Sequence, residues 1–453
     1  MANASYNQIL SAPVVTRVIS TIKTPQSRLQ SFMGCGPGGQ NVNAVGGRIA
    51  AWDIFDKTRT QAKGRSPGTG PATVQTQVIG HVTATIFRVH EKAMLLDERL
   101  FRTRPLGANW GQIDARGQRY VTSQERHLAQ RLRNTREFVL SRALRGAVGI
   151  LQQGDDWLPV DIGAGTYNTP IITINFQNPY YVNAVTSTSQ GASSGGSATA
   201  PNCYTTKVAN AVPSLDQLRA MPVQLSGDST TAFPFGGMSQ NSAATGYTLA
   251  WTSALLTHGS VYADPIQDCL AINSGFEAIH GRPLRHVWCN SSMIGRLMNS
   301  TTLKAAAGTA NIVWDRFERT SYKGPDGMQD TGFEITFKGL PWLTFHAYDG
   351  GLTNYVMGAE TGVLTLQYTK FFEDDYALFM CDPDPDWFEM LEGSEIVREN
   401  RMSPGDERYG IQSWTENTTQ PAGFELISLD NFIPAPYVPG CYAYVNVGKA
   451  HTA

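Results

Sequence analysis

The pattern that most restricts this chain is a long run of helical spacing in residues 122–151. Leu128, Leu132, Val139, Ala143, Ala147 and Ile150 recur at intervals of three, four and seven, which draws one apolar stripe along a helix. Thr122 followed by Glu125 has the form of a capping box and sets its start. About 28 residues at 1.5 Å each give a rod of roughly 42 Å, longer than a small domain can enclose. Six arginines, Arg126, Arg131, Arg133, Arg136, Arg142 and Arg145, decorate it, mostly off the stripe. Two readings stay open for this basic face. It is a solvated surface that forms salt bridges with neighbouring groups, or it meets nucleic-acid phosphates.

Before the helix, Val74, Thr76, Val78, Val82, Ala84 and Ile86 alternate with polar residues, the period-two pattern of a strand with one apolar face. Taken as one strand of about seventeen residues it would extend roughly 55 Å. Residues 48–56 are its expected partner. The tip between them carries Lys57, Arg59, Lys63 and Arg65 with no acid among them. Such a hairpin is expected to reach another subunit, because a long isolated hairpin is only marginally stable. The alternative is a hairpin folded back on its own sheet. Residues 1–47 show little periodicity and include the run Gly34-Cys35-Gly36-Pro37-Gly38-Gly39. They read as an arm that gains order on a neighbour.

After the helix, residues 158–176 read as one or two strands. Residues 177–250 hold only four charged side chains, Lys207, Asp216, Arg219 and Asp228, and 187–200 is almost pure Ser, Thr, Gly and Ala. By composition this is a flexible loop. A second ordered block follows. Asp264 with Pro265 starts a helix that Gly281 stops. A short strand at 285–289, a helix at 291–307 ended by Gly308, a hairpin of 333–337 with 342–347, and strands at 355–357 and 363–368 complete a compact unit of mixed helix and strand. The proline-punctuated stretch 424–447 suits an edge strand or a surface tail.

Size and composition narrow the function. With 453 residues the chain should hold more than one core. Only 16% of residues are charged and the net charge is -2, so it is no polycation and any DNA contact must be local. The 44 glycines and 24 prolines fit many turns and extended segments. Cys35, Cys203, Cys269, Cys289, Cys381 and Cys441 are scattered without a C-x-x-C pair, which argues against zinc and redox motifs and for reduced thiols made in a cytoplasm. The start lacks a secretory pattern and no window reaches 18 apolar residues, so a protein neither exported nor membrane-spanning is expected.

Little catalytic chemistry is visible. Cys289 with His258, His280, His286 or His346 would make a Cys/His hydrolase conceivable, but the spacing gives it no support. Asp382, Asp384 and Asp386, after Glu373, Asp374 and Asp375, form an acidic stretch without the glycine and bidentate glutamate of a calcium loop. It reads as a salt-bridging surface that could meet a basic tip such as 57–65. No phosphate-binding loop is present, and no cofactor, metal or catalytic residue is assigned.

An extended basic hairpin, a long helix, strands and a helix–strand–helix block resemble, in that order, the Hong Kong 97 type capsid fold. More closely the chain is similar to the lambda-type major capsid protein E family. The matching residues are 251–268 (WTSALLTHGSVYADPIQD) leading into Ala271-Ile272-Asn273-Ser274-Gly275, the turns Tyr322-Lys323-Gly324 and Phe337-Lys338-Gly339, and 363–375. The resemblance spans roughly residues 47–439. It implies an α+β protein with an N-terminal arm (1–47), an E-loop hairpin (48–90), and a peripheral domain (91–176) with spine helix 122–151. An insertion (177–250), an axial domain (251–370) and a return to peripheral strands (371–453) would follow, with 158–176 and the C-terminal strands in the peripheral sheet. It implies hexamers and pentamers in an icosahedral virion shell assembled in a host cytoplasm around double-stranded DNA. Scaffold and portal partners and often a decoration protein go with that, and no membrane. Residues 177–250 exceed what the family pattern needs. No asparagine partner marks Lys57 or Lys63 for an isopeptide crosslink, and none is expected. An encapsulin-like cargo shell shares the fold and is the alternative among structural proteins.

Overall fold

The computed structural model describes residues 27–36, 38–55, 78–96, 115–144, 147–153, 156–160, 171–175, 181–183, 251, 264–308, 312–319, 322–323, 329–330, 333–357, 364–372, 374, 376–397, 406–419, 422–438 and 441–447. The hairpin tip with Lys57, Arg59, Lys63 and Arg65, residues 1–26, Arg145, Glu373, Asp375 and most of 177–250 lie outside them.

The first described element is a short helix, α1 (Arg28–Met33), which Gly34 ends in the left-handed region at φ 65°. Only glycine enters that region without strain, and the amides of Gly34 and Cys35 return to Ser31 O and Gln30 O. β1 (Val42–Val45) and β2 (Ile49–Phe55) follow, then β3 (Val78–Thr85) and β4 (Phe87–Leu96). The expected arm is therefore corrected over residues 27–47. Leu29, Met33 and Cys35 are fully buried in the main core, and β1 pairs in parallel with a later strand, β18. The glycine run is one sharp turn, in which a side chain at Gly39 would collide with Gly34 O.

The expected long strand is also two strands. β3 pairs with β2, while β4 joins another sheet, the break falling at Ile86, whose amide donates to Arg48 O at 2.9 Å. The described part of β3 is eight residues, about 26 Å. Ala50, Trp52 and Ile54 of β2 and Val82 and Ala84 of β3 are buried in this subunit's own core. The described base of the hairpin thus packs at home.

The long helix is α2 (Ala115–Ala143), 29 residues. Its length matches expectation, but it begins earlier and ends before Ala147. Val148 and Ile150 instead lie on β5 (Ala147–Gln153), which pairs with β6 (Asp156–Val160) and β7 (Ile171–Asn175). Spacings of three and two both fit that short apolar run, and Gly146 and Gly149 favour leaving the helix. Glu125, expected as a cap, lies inside the helix and is buried. β8 (Tyr181–Asn183) is short.

The second block contains α3 (Pro265–His280), β9 (His286–Cys289), α4 (Ser291–Met298), α5 (Thr301–Ala307), β10 (Trp314–Arg319), β11 (Tyr322–Lys323), β12 (Gln329–Asp330), β13 (Phe333–Phe337) and β14 (Leu340–Ala347). Asp264 Oδ1 accepts from Ile266 N at 3.0 Å and Gly281 closes α3 at φ 71°. The single helix expected at 291–307 is two, because Ser300 leaves helical geometry at ψ 132° and starts α5 with its own side chain. β15 (Gly351–Met357) and β16 (Leu364–Lys370) form a ribbon, and β17 (Tyr376–Met380), β18 (Phe388–Val397), β19 (Asp406–Thr419), β20 (Ala422–Pro436) and β21 (Tyr442–Asn446) end the chain.

Two large sheets organise the protein. One has the order β1-β18-β19-β20-β4, with β20 also pairing β18, and the other β10-β13-β14-β9-β17-β21-β8. Leu128, Ala129 and Leu132 of α2 pack on Leu95, Ile411 and Leu426 of the first sheet. The C-terminal part of α2, through Phe138, Val139 and Leu140, enters the core shared with the second.

The C-terminal strands therefore divide. β18, β19 and β20 join the first sheet, whereas β17 and β21 are interior strands of the second, and β5, β6 and β7 form a third, so the described residues 158–160 and 171–175 do not pair with the C-terminal strands. β20 is central, not an edge or a tail. Its prolines are tolerated because β4 pairing ends at Phe432, and Pro434 and Pro436 pair only with β18.

Candidate functional site

Three polar junctions hold α2 and α1 against the two sheets, and each uses side chains far apart in sequence. At the first, the fully buried Arg136 makes a two-pronged bond to Asp430, Nε to Oδ2 at 3.0 Å and Nη2 to Oδ1 at 2.6 Å. Nη2 also donates to Glu392 Oε1 at 2.8 Å, and the guanidinium lies over the Phe432 ring. Burial alone would weaken its hold on the proton. The two carboxylates more than reverse that and keep it charged. Burial raises Glu392 above the ordinary carboxylate range, opposed by Arg136. One helix is thereby clamped to two strands of the first sheet.

At the second, Glu137 accepts the amides of Leu29 at 2.7 Å and Gln30 at 3.0 Å, while Gln30 Nε2 donates to Arg133 O at 2.8 Å. Burial pushes the Glu137 carboxyl up to about 7, against the pull of those amides. Arg142 donates to Phe371 O at 2.7 Å and Lys370 O at 2.9 Å, tying the end of α2 to the exit of β16.

The third junction sits on the face of the second sheet that α1 covers. His286 Nδ1 and His346 Nε2 are 3.0 Å apart and share one proton. His286 Nε2 reaches Asp382 Oδ1 at 2.9 Å, and His346 Nδ1 stands 3.4 Å from Glu334 Oε1. Phe32 of α1 packs on both imidazoles and on Trp288, and Arg28 donates to Ala347 O at 2.6 Å. Burial lowers the His346 pKa, with help from His286 and Arg28 and against Glu334.

The sequence-predicted residues distribute unevenly. Arg133 and Arg142 are buried, which removes them from any exposed basic face of α2. Arg126 is half-buried. Arg131 is exposed and bonds Glu91 at 2.6 Å, as a salt-bridging surface would. Asp382 bonds Arg285 at 3.1 Å as well as His286, Asp384 Oδ1 accepts the Asp386 amide, and Asp374 bonds Lys370 at 2.6 Å and Asn290. These acids serve the turn from β17 into β18 and the end of β16.

Cys289 cannot serve as a hydrolase nucleophile. It is fully buried, burial holds its thiol protonated, and it points to the opposite face of β9 from His286, Trp288 and His346. Among the described residues no three His, Cys, Asp or Glu side chains stand together as metal ligands, and no helix is long and apolar enough to cross a membrane.

Sequence reasoning missed the central role of Arg136. The signal was available, because it stands four residues after Leu132 and three before Val139, on the apolar stripe itself.

No protein-family model and no curated protein matches the chain. Among solved structures it is similar to a phage-related protein from Bordetella bronchiseptica RB50, with 10% identity, a TM-score of 0.44 and coverage of 97% of both chains. It is similar to the mature capsid of bacteriophage PhiM1 with 10% identity, a TM-score of 0.35 and coverage of 90% of this chain and 85% of that one. A third is the SrpI encapsulin complex of Synechococcus elongatus PCC 7942, with 10% identity, a TM-score of 0.36 and coverage of 96% and 91%. The described residues of this chain mix helices and strands.

Proposed function

We propose that this chain is the major shell protein of a tailed bacteriophage, which assembles as hexamers and pentamers into an icosahedral container for double-stranded DNA. The observation that carries the reading is an arrangement. A separate two-stranded sheet, β2–β3, stands in the chain between the docked helix α1 and a 29-residue helix that packs on a sheet of long antiparallel strands. In that reading β2–β3 with residues 56–77 is the E-loop and α2 the spine helix. The first sheet belongs to the peripheral domain, and the second, with α3, α4 and α5, to the axial domain. The tip lysines and arginines 57, 59, 63 and 65 would meet an acidic surface on the next subunit, and Arg131 would face the DNA side only as half of an ion pair. Scaffold and portal proteins would act in assembly, and a decoration protein could cover the outside. Among the described residues, the buried Cys289 faces away from His286 and His346, which supports a structural role over the hydrolase.

The test is particle mass. Light scattering and electron microscopy of the purified protein should show hollow particles of megadalton mass, carrying DNA when isolated from infected cells. Deleting residues 59–70 should leave a folded capsomer or monomer that no longer closes into shells. A wild-type chain that stays monomeric under assembly conditions overturns the reading. Normal shells from the deletion overturn the role of the hairpin. Shells that hold a dedicated enzyme in place of DNA identify a cargo compartment instead.

A further inference from the structure

The end of β17 and the start of β21 bring two cysteines together that are remote in sequence. Met380 pairs with Tyr442, and one step further the amide of Cys381 donates to Cys441 O at 2.8 Å. A hydrogen bond to Cys441 and burial together push the Cys381 thiol well above its ordinary range. Neighbouring residues across antiparallel strands have Cα atoms about 4.5–5.5 Å apart, inside the span a disulfide bridges. Arg282 Nη1 lies 3.4 Å from Cys441 Sγ. Cys441 therefore has a guanidinium N–H directed at its sulfur. Cys35 has only backbone oxygens as sulfur partners, Met33 O and Asn41 O. Cys441 is fully buried and Cys381 keeps a small exposed fraction, 6%, so the oxidant that reaches the pair has to be small.

We propose that Cys381 and Cys441 are a dithiol built to close into an intrachain disulfide under hydrogen peroxide, locking β21 to β17. The chemistry balances in two steps. The Cys441 sulfur, losing its proton, attacks peroxide, taking one oxygen as a sulfenic acid and releasing hydroxide. The Cys381 sulfur then displaces that oxygen as hydroxide, forming the S–S bond. The two thiol protons convert both hydroxides to water, so two thiols and one peroxide yield one disulfide and two waters. The closed loop contains β18, β19 and β20 entire, so the bond would restrain the unfolded chain across three of the five strands of the first sheet. A chain made in a reducing cytoplasm and later exposed to oxidant would gain stability without changing its contacts. This inference does not depend on the shell reading.

The test uses the full-length protein, reduced and folded, treated with hydrogen peroxide, quenched with catalase, then unfolded, alkylated and mapped by mass spectrometry. The expected product is a Cys381–Cys441 linked peptide pair lighter by two hydrogens, with Cys35, Cys269 and Cys289 alkylated. Its thermal midpoint should rise by about 3–6 °C and return on reduction. Cys381→Ser should abolish both the linked pair and the rise. Alkylation of both thiols after peroxide, linkage spread over the other cysteines, or an equal rise in Cys381→Ser overturns the proposal. The wild-type map decides the matter alone if the variant fails to fold.

Discussion

Replacing Arg136 with methionine tests whether the long helix is held by charge or by its apolar stripe. Methionine keeps an apolar stem but removes the guanidinium, with its three charge-assisted hydrogen bonds and its contact with the Phe432 ring. Asp430, fully buried, then has no cation. At an effective dielectric near 20 each lost pair is worth about 5 kcal/mol of attraction, offset by several kcal/mol of desolvation per ion. Removing one member of such a cluster costs about 3–5 kcal/mol net. A second route gives the same size. The stranded carboxyl must fold protonated, which at pH 7 costs roughly 1.4 kcal/mol for each unit above an unfolded value near 3.9, about 4 kcal/mol. The sign follows. The variant's folded state binds a proton that its unfolded state lacks, so its deficit is greatest at neutral pH and shrinks towards pH 4. Urea unfolding of the unassembled chain should show a loss of about 4 kcal/mol at pH 7 and roughly 1.5 kcal/mol at pH 5. Adding Asp430→Asn should restore part of the loss at pH 7. A loss below about 1 kcal/mol, or one that does not change with pH, would refute the reasoning.

Four further outcomes are expected. Burial raises the Glu125 carboxyl to about 7, so its folded state gains a proton as pH falls. Glu125→Gln should therefore exceed the wild type in stability at pH 8 by up to about 3 kcal/mol and match it near pH 4.5, read from urea midpoints. His346 behaves oppositely, because its pKa is lowered on folding and the unfolded chain takes the proton first. The wild type should lose stability relative to His346→Phe below about pH 6.5, by at most about 1.4 kcal/mol per unit, and parallel pH profiles would count against it. Arg131→Gln should leave the salt dependence of DNA retention unchanged, since Glu91 already holds that charge. Arg142→Gln should instead lower the thermal midpoint by removing the donors to the buried Phe371 carbonyl and the half-buried Lys370 carbonyl.

Several local elements of the second block were legible in the sequence, although the helix expected at 291–307 is two. Asp264 and Gly281 bound α3 as expected, and the hairpin of β13 with β14 turns at Lys338-Gly339, because caps and turns are decided within a few residues. The long helix was legible as a stripe but not in its ends, since Ala147 and Ile150 fit helical spacing while Val148 and Ile150 fit a strand equally well. Which reading won depended on β6 and β7, strands that lie further along the chain.

The sequence by itself determined that this is a mixed protein with a long amphipathic helix, an alternating strand before it and no assembled catalytic motif. Only the tertiary structure decided which charges are surface and which are core. Arg131 and Arg136 are the same residue type five positions apart, yet one is exposed beside Glu91 and the other is sealed between Asp430 and Glu392. The partners of Arg136 come from β18 and β20, far along the chain, and a buried charge is tolerated only where such partners arrive. The same non-local pairing put β17 and β21 side by side and set Cys381 against Cys441, a juxtaposition that spacing along the chain does not encode.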